Sequence, residues 1–565
     1  MNVSKALFDH PSPEAYRHPF GWTLDLPPMT MPALLERSVA ANPDAPLAWF
    51  YGRRYSYRAI VAEARAFAAG LQQRGIGKGD RVGLFLPNVP TYPIAYYGAM
   101  IAGATVVNFS PLYTAAELEA QVEDSRTRVL VTVDSSQLLP KALEVLGDSS
   151  LETLVVASFA AQLPRALGLG FRLFRSRELA PIPRRPDVCR WHDSLGSGDP
   201  AQVALNPERD IALLQYTGGT TGTPKGAMLT HQNLSANARQ IVHIDPWRGE
   251  ADVIMGALPL FHVFANACCL NRTVARGGCI VLVPRFEAGE VLKTLQRSGA
   301  TAFPGVPTMY QALLDHPRLA RTDFSRLKIC VSGGAPLPAP LRERFEAATG
   351  ARLVEGYGLT ECSGVASTNP YEGEQRPGTI GQPIPETRMR LVDKEDPSAD
   401  PAPGEPGELV IAGPQIMQGY WNRPDTDATA FVVRDGVKWL RTGDVATIDA
   451  DGFVRIVDRL KDMIAVGGFK VFPSQLEEAL LRHPAVHEAL VLGLPDPYHG
   501  EMPHGYITLR EDADPVSGED IRAWVNQRIG KHERLAEVVV RESLPKTMIG
   551  KLDRKALRSE VTASA

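Results

Sequence analysis

The chain has no C-x-x-C pair and only six cysteines, Cys189, Cys268, Cys269, Cys279, Cys330 and Cys362, in 565 residues. The cysteines show no metal-ligand spacing, and they fit buried thiols in a reducing compartment better than a disulfide frame. Strong charge of either sign is missing too, since the formal net charge is −4. A nucleic-acid partner calls for a basic footprint, so none is expected. No apolar run reaches the roughly 18–20 residues needed to cross a bilayer. The nearest, IAYYGAMIAGATVVNF from Ile94 to Phe109, is uncharged but short, and its small residues suit a buried helix followed by a core strand. The opening stretch MNVSKALFDHPSPEAYRHPFGW has no apolar signal-peptide core, so a cytoplasmic protein is expected. The P-loop pattern G-x-x-x-x-G-K-[ST] is absent as well, because Lys225 is followed by Gly226. No short internal repeat is evident.

What is present is ordinary soluble-protein usage, 44% hydrophobic and 22% charged, in a chain too long for one core. SYRAIVAEARAFAAGLQQRG has helical apolar spacing and stops at Gly75. DRVGLFL then reads as a buried strand, followed by a helix, GATVVNF, AAELEAQVEDS and RVLVTV. This alternation predicts an α/β fold with a largely parallel sheet. After Gly378 the texture becomes Pro-, Gly- and Asp-rich with short alternating strands, which predicts a small β-barrel-like subdomain. From about Arg459 the pattern is that of a compact α+β unit. The expected division is a large domain over 1–460 and a small C-terminal domain over 461–565.

YTGGTTGTPKG, from Tyr216 to Gly226, follows the buried strand DIALLQY and precedes a strand end and a helix. Its glycines let backbone N–H groups approach an anion, its threonines add donors, and Lys225 adds a mobile positive charge. It reads as a phosphate loop of a different design from the P-loop.

YTGGTTGTPKG is similar to the phosphate loop of the acyl-adenylate-forming superfamily: acyl-CoA synthetases, adenylation domains of peptide synthetases and beetle luciferases. The resemblance continues in order through LPLFH (258–262), SGGAPL (332–337), GYGLTE (356–361), RTGD (441–444), IVDRLKDMI (456–464) and PKTMIGKLDR (545–554). It covers nearly the whole chain and looks most like bacterial long-chain fatty-acyl-CoA synthetases. It implies AMP-forming acid–thiol ligation: a carboxylate attacks the α-phosphate of ATP, pyrophosphate leaves, and coenzyme A takes the acyl group. It further implies that Thr217, Gly218, Gly219, Thr220, Thr221, Gly222 and Lys225 hold the outgoing phosphates. Gly334, Ala335, Pro336, Glu355, Gly356, Tyr357 and Gly358 would surround the adenine, with Tyr357 stacked on it. Thr360 would reach the α-phosphate, and Glu361 with Thr217 would hold Mg²⁺, a hard ion that prefers oxygen ligands. Asp444 would accept the ribose hydroxyls with Arg459 nearby, and His262 would stand at the mouth of the acyl tunnel. Lys551 would bridge the carboxylate and α-phosphate as the catalytic lysine. The small domain would swing about a hinge at Lys461, and Gly467, Gly468 and Phe469 would line the pantetheine tunnel.

The expected acid is a medium- to long-chain fatty acid. Asn266, Asn271, Arg272 and Arg276 interrupt the otherwise apolar helix after His262. They are assigned to a solvent or interdomain face, against the alternative of a polar tunnel end suited to a dicarboxylic or other shorter acid. A fatty-acyl-AMP ligase that loads a carrier protein, a luciferase-like oxygenase and a nucleotide-binding regulator remain as rivals. Residues 163–186 interleave Leu and Phe with six arginines. Such a stretch suits either an anionic lipid interface or an exposed basic loop. Homodimer formation is compatible with the reading.

Overall fold

The computed structural model describes residues 10–217, 224–467, 469–510, 513–547 and 551–564. It forms two compact units, His10–Arg388 with Ala412–Ala430, and Met389–Ile411 with the chain from Phe431 onward.

The first unit holds two α/β sheets. In one, seven strands run in the spatial order Val188–Arg190, Thr153–Ala157, Val129–Val133, Arg81–Leu84, Thr105–Asn108, Ile211–Thr217 and Lys225–Thr230. All neighbours pair in parallel except the last two, which form an antiparallel ladder. The other sheet has nine strands, with a parallel centre built from Arg352–Tyr357, Ile329–Ser332, Ala302–Gly305, Val253–Gly256, Cys279–Leu282 and Pro46–Phe50. Burial of both faces explains the near-continuous apolar strands. The uncharged stretch from Ile94 is interior: helix Thr91–Ile101 is buried over ten of its eleven residues and leads into strand Thr105–Asn108. Among the described residues no helix is long and apolar enough to cross a membrane.

The second unit contains the expected small antiparallel sheet, with strand Val437–Ile448 flanked by Gly407–Ala412, Phe431–Arg434 and Val454–Arg459. It also contains a separate α+β body. There, strands Ile464–Val466, Phe469–Val471, Val486–Asp496, Gly500–Leu509 and Glu537–Val540 pack on helices Pro473–Leu481 and Gly518–Asn526 through Leu476, Leu480, Val491, Ile507, Ile521 and Val525. Arg554 opens the last helix, Arg554–Ser564, and ties it to two other segments. It donates to Asp462 at 2.9 Å and to half-buried Glu477 at 2.5 Å.

Candidate active site

The phosphate-loop segment is anchored at both described ends. Thr217 closes one strand, Lys225 opens the next, and the two face each other across the antiparallel ladder. Gly218, Gly219, Thr220, Thr221 and Gly222 lie outside the described residues. A segment absent from the sequence reading supports this hairpin. Gln418–Trp421 runs alongside strand Lys225–Thr230, with Met228 N–H donating to Gly419 O at 2.9 Å and Trp421 N–H to Gly226 O at 2.8 Å. The Lys225 ammonium stands 5.6 Å from the centre of the Tyr420 ring. Asp124 accepts from Tyr216 Oη at 2.6 Å and from Arg423 at 2.5 Å, which fixes the strand behind the loop.

Glu355, Gly356 and Tyr357 end strand Arg352–Tyr357, and Ser332 pairs with Glu355 at the point where Gly334, Ala335 and Pro336 begin. The chain then turns tightly. A Cβ at Gly358 would collide with the Gly364 carbonyl, so the residue must be glycine. Thr360 and Glu361 form a short 3₁₀ turn that packs on both phosphate-loop strands. Tyr420 Oη donates to Glu361 Oε1 at 2.6 Å, and Met417 N–H donates to Glu361 O at 2.8 Å. The Glu361 carboxylate and Thr217 hydroxyl are hard oxygen donors on adjoining elements, a donor set that fits Mg²⁺.

His262 caps the short helix Val263–Ala265, with its Nδ1 accepting from Phe264 N–H at 3.3 Å. Buried amides hold the preceding LPLF segment: Asn88 donates to Leu258 O and Gln215 to Phe261 O, at 2.8 and 2.9 Å. Beyond it the helix is a π-helix over Asn266–Asn271, then α-helical over Arg272–Arg276. The assignment of its polar residues to a solvent or interdomain face is corrected for three of them. Asn266, Asn271 and Arg272 are all buried. Asn266 Oδ1 accepts from Tyr96 Oη at 3.1 Å and Asn271 Nδ2 at 2.8 Å, while Arg272 donates to Asp245 at 2.5 Å and Asp252 at 2.8 Å. Arg276 donates to Trp247 O at 2.5 Å.

In the second unit Asp444 and Arg459 are ladder partners on adjacent strands, and Arg459 Nε lies 3.0 Å from buried Asp444 Oδ1. Lys551 joins them. Its N–H donates to Thr547 Oγ1 at 3.1 Å and its carbonyl accepts from Thr547 N–H at 2.6 Å. Burial first, and the Arg459 charge second, lower its ammonium to about 8, against the pull of Asp444. Lys546 is held elsewhere, 2.6 Å from Glu488. Lys461 sits in the 3₁₀ turn Leu460–Asp462 between strands Val454–Arg459 and Ile464–Val466. Gly467 follows with φ +56° and donates to His499 O at 2.7 Å. Gly468 lies outside the described residues, and Phe469 opens the next strand.

Comparison with known proteins agrees with this layout. The AMP-binding enzyme family matches residues 35–421, and its C-terminal domain matches residues 475–551. A long-chain-fatty-acid–CoA ligase of Bacillus subtilis (strain 168) is 38% identical over 545 residues, 95% of this chain and 96% of that protein. A long-chain-fatty-acid–CoA ligase of Escherichia coli O157:H7 is 38% identical over 537 residues, 93% of this chain and 94% of that protein. The crystal structure of ATP-bound MatB from Rhodopseudomonas palustris superposes with a TM-score of 0.81 at 28% identity, covering 94% of this chain and 99% of that one.

Proposed function

From the premise that this chain belongs to the AMP-binding, acyl-adenylate-forming enzymes, we propose that it ligates a medium- to long-chain fatty acid to coenzyme A. The class itself is that of AMP-forming acid–thiol ligases, which use ATP to form an acyl-adenylate. The fatty-acid assignment draws its support from the two relatives whose names carry it and whose identity extends over nearly the full chain.

A carboxylate is a poor acyl donor because its leaving group would be oxide. Attack on the α-phosphate of ATP replaces that group with AMP, but it brings two anions together. The site must therefore supply positive charge where they meet. Residues 217–222 and Lys225 hold the β- and γ-phosphates. Tyr357 stacks on adenine beside Gly334–Pro336 and Glu355–Gly358, Asp444 accepts the ribose hydroxyls, and Thr360 contacts the α-phosphate. Mg²⁺, held by Glu361 and Thr217, would neutralise phosphate charge. Lys551 would bridge the acyl carboxylate and the α-phosphate and stabilise the excess negative charge of the transition state. His262 marks the entry of the acyl group.

The observation that carries this reading is the partly buried Lys551 ammonium set beside Asp444 and Arg459. A lysine partly stripped of water gains most by receiving an anionic partner. For the second step the small domain, from about residue 461, turns about Lys461. Gly467, Gly468 and Phe469 then line the path of the CoA arm. Pyrophosphate exchange followed by thioester detection across acid chain lengths tests the whole scheme. Exchange without thioester would favour a ligase that stops at the adenylate or loads a carrier. Thioester formed only from short or dicarboxylic acids would overturn the fatty-acid assignment.

Residues 163–186 extend the reading to peripheral contact with an anionic bilayer. Helix Arg165–Phe174 leaves Leu169 62%, Leu173 66% and Phe174 87% exposed among arginines. Apolar side chains rimmed by arginine suit insertion at a headgroup boundary. Co-sedimentation with phosphatidylglycerol vesicles, lost in Leu173→Ser/Phe174→Ser, checks this. Equal sedimentation of the variant would refute it.

A further inference from the structure

A buried arginine is normally paired with carboxylates, because an isolated buried charge is costly. Two of the three buried arginines among the described residues obey this. Arg272 meets Asp245 and Asp252, and Arg390 meets Asp400 and Asp435. Arg239, on helix His231–His243, does not. Its guanidinium donates only to neutral acceptors: Ser235 O and Pro27 O at 3.0 Å each, Ser235 Oγ at 3.3 Å and Gln232 Oε1 at 3.4 Å.

Arg239 lines a cleft of about 370 Å³ in the first unit. Arg37, from helix Met31–Ala41, and Arg248 line it too, and neither has a carboxylate partner among the described residues. Asp25 is the one acid in the lining. His243 supplies no compensating charge. Its Nδ1 faces Arg248 Nη2 at 3.2 Å and its Nε2 faces Phe20 O at 3.0 Å, which fixes a neutral ring with the proton on Nε2. Burial first and the Arg37 charge second pull Arg239 down to about 10, against the partial offset of Asp25. Three guanidinium groups against one carboxylate leave an excess of two positive charges. The remaining walls are apolar, among them Leu24, Met29 and Val242.

We propose that this cleft is a second anion site, separate from the phosphate loop, that takes a phosphate monoester carrying an apolar group. A dianionic phosphate matches the charge excess, guanidinium forks match its oxygens, and the apolar wall accommodates an attached chain. The same chemistry is offered by free phosphate and by a single-chain amphiphile.

The experiment uses the full chain with its catalytic site filled by a non-hydrolysable acyl-adenylate analogue, so that binding elsewhere is read alone. Inorganic phosphate and a lysophosphatidate below its micellar concentration are titrated calorimetrically at constant ionic strength. One further site is expected, weakened at least tenfold in Arg37→Ala/Arg248→Ala. Both side chains are exposed, and unchanged affinity for the adenylate analogue verifies that the variant keeps its fold. Tenfold tighter binding of the amphiphile assigns the apolar wall to its chain. Equal binding of the two supports a free-phosphate site and removes the apolar part of the proposal. No binding in the parent protein, or equal binding in the double variant, overturns the proposal without touching the ligase assignment.

Discussion

The Tyr420 hydroxyl donates to Glu361 Oε1 at 2.6 Å across 59 residues of chain. Glu361 is the carboxylate proposed to hold Mg²⁺, so Tyr420 orients a ligand rather than touching the metal. Outer partners of this kind typically cost about 10–100-fold in metal affinity when removed. Tyr420→Phe is expected to raise the Mg²⁺ concentration needed for half-maximal pyrophosphate exchange about tenfold. The rate at saturating Mg²⁺ should stay within about threefold. An unchanged Mg²⁺ curve would show that the phenol serves the hairpin alone.

Lys551 carries the second prediction. Lys551→Ala should slow adenylate formation by about 10²–10⁴, while thioester formation from preformed acyl-adenylate stays near normal. Equal loss in both steps would make the residue structural. Its pH dependence follows from the value of about 8, lowered from the usual 10.5. The ammonium is the active form, complete well below that value and lost as pH rises through it. Adenylation should therefore fall about tenfold per unit above roughly pH 8, and Lys551→Arg should flatten that limb. The linked stability runs the other way. Between about 8 and 10.5 the unfolded chain holds the proton that the folded lysine has released, so this group's contribution rises with pH.

Lys461→Pro tests the hinge. Fixing φ near −65° should spare adenylation and abolish thioester formation, because only the second step needs the swing. Wild-type rates in both steps would place the hinge elsewhere.

The sequence motifs name most of the candidate site residues, and the limits of those motifs are physical. Thr217 and Lys225 were legible because a glycine-rich loop between two strands leaves its mark locally. Asp444 and Arg459 also lie in named motifs, and the ladder that makes them neighbours joins consecutive strands. Tyr420 was not legible. Its partners Glu361 and the Lys225 strand are brought to it only by tertiary folding, and GYW alone reads as a turn with aromatics. Asn266 and Arg272 were misplaced for a different reason. Both were assigned outward because they are polar, and the buried Tyr96 hydroxyl that meets Asn266 is brought to it only by tertiary folding. The carboxylates that accept Arg272 stand 27 and 20 residues upstream, outside any helical window.

That burial changes what Arg272 is expected to do. With its guanidinium between Asp245 and Asp252, the side chain is committed to an interior ion pair and presents no charge to an acyl chain. Arg272→Leu removes the shared cation and leaves two buried carboxylates facing each other. Breaking a buried pair in this way costs about 3–5 kcal/mol, so the urea midpoint should drop sharply. The acid chain-length profile of the surviving enzyme should match the parent within about a factor of two, as for a residue remote from substrate. A variant with parental stability and an altered preference between long monocarboxylic and dicarboxylic acids would instead put Arg272 in the acyl site.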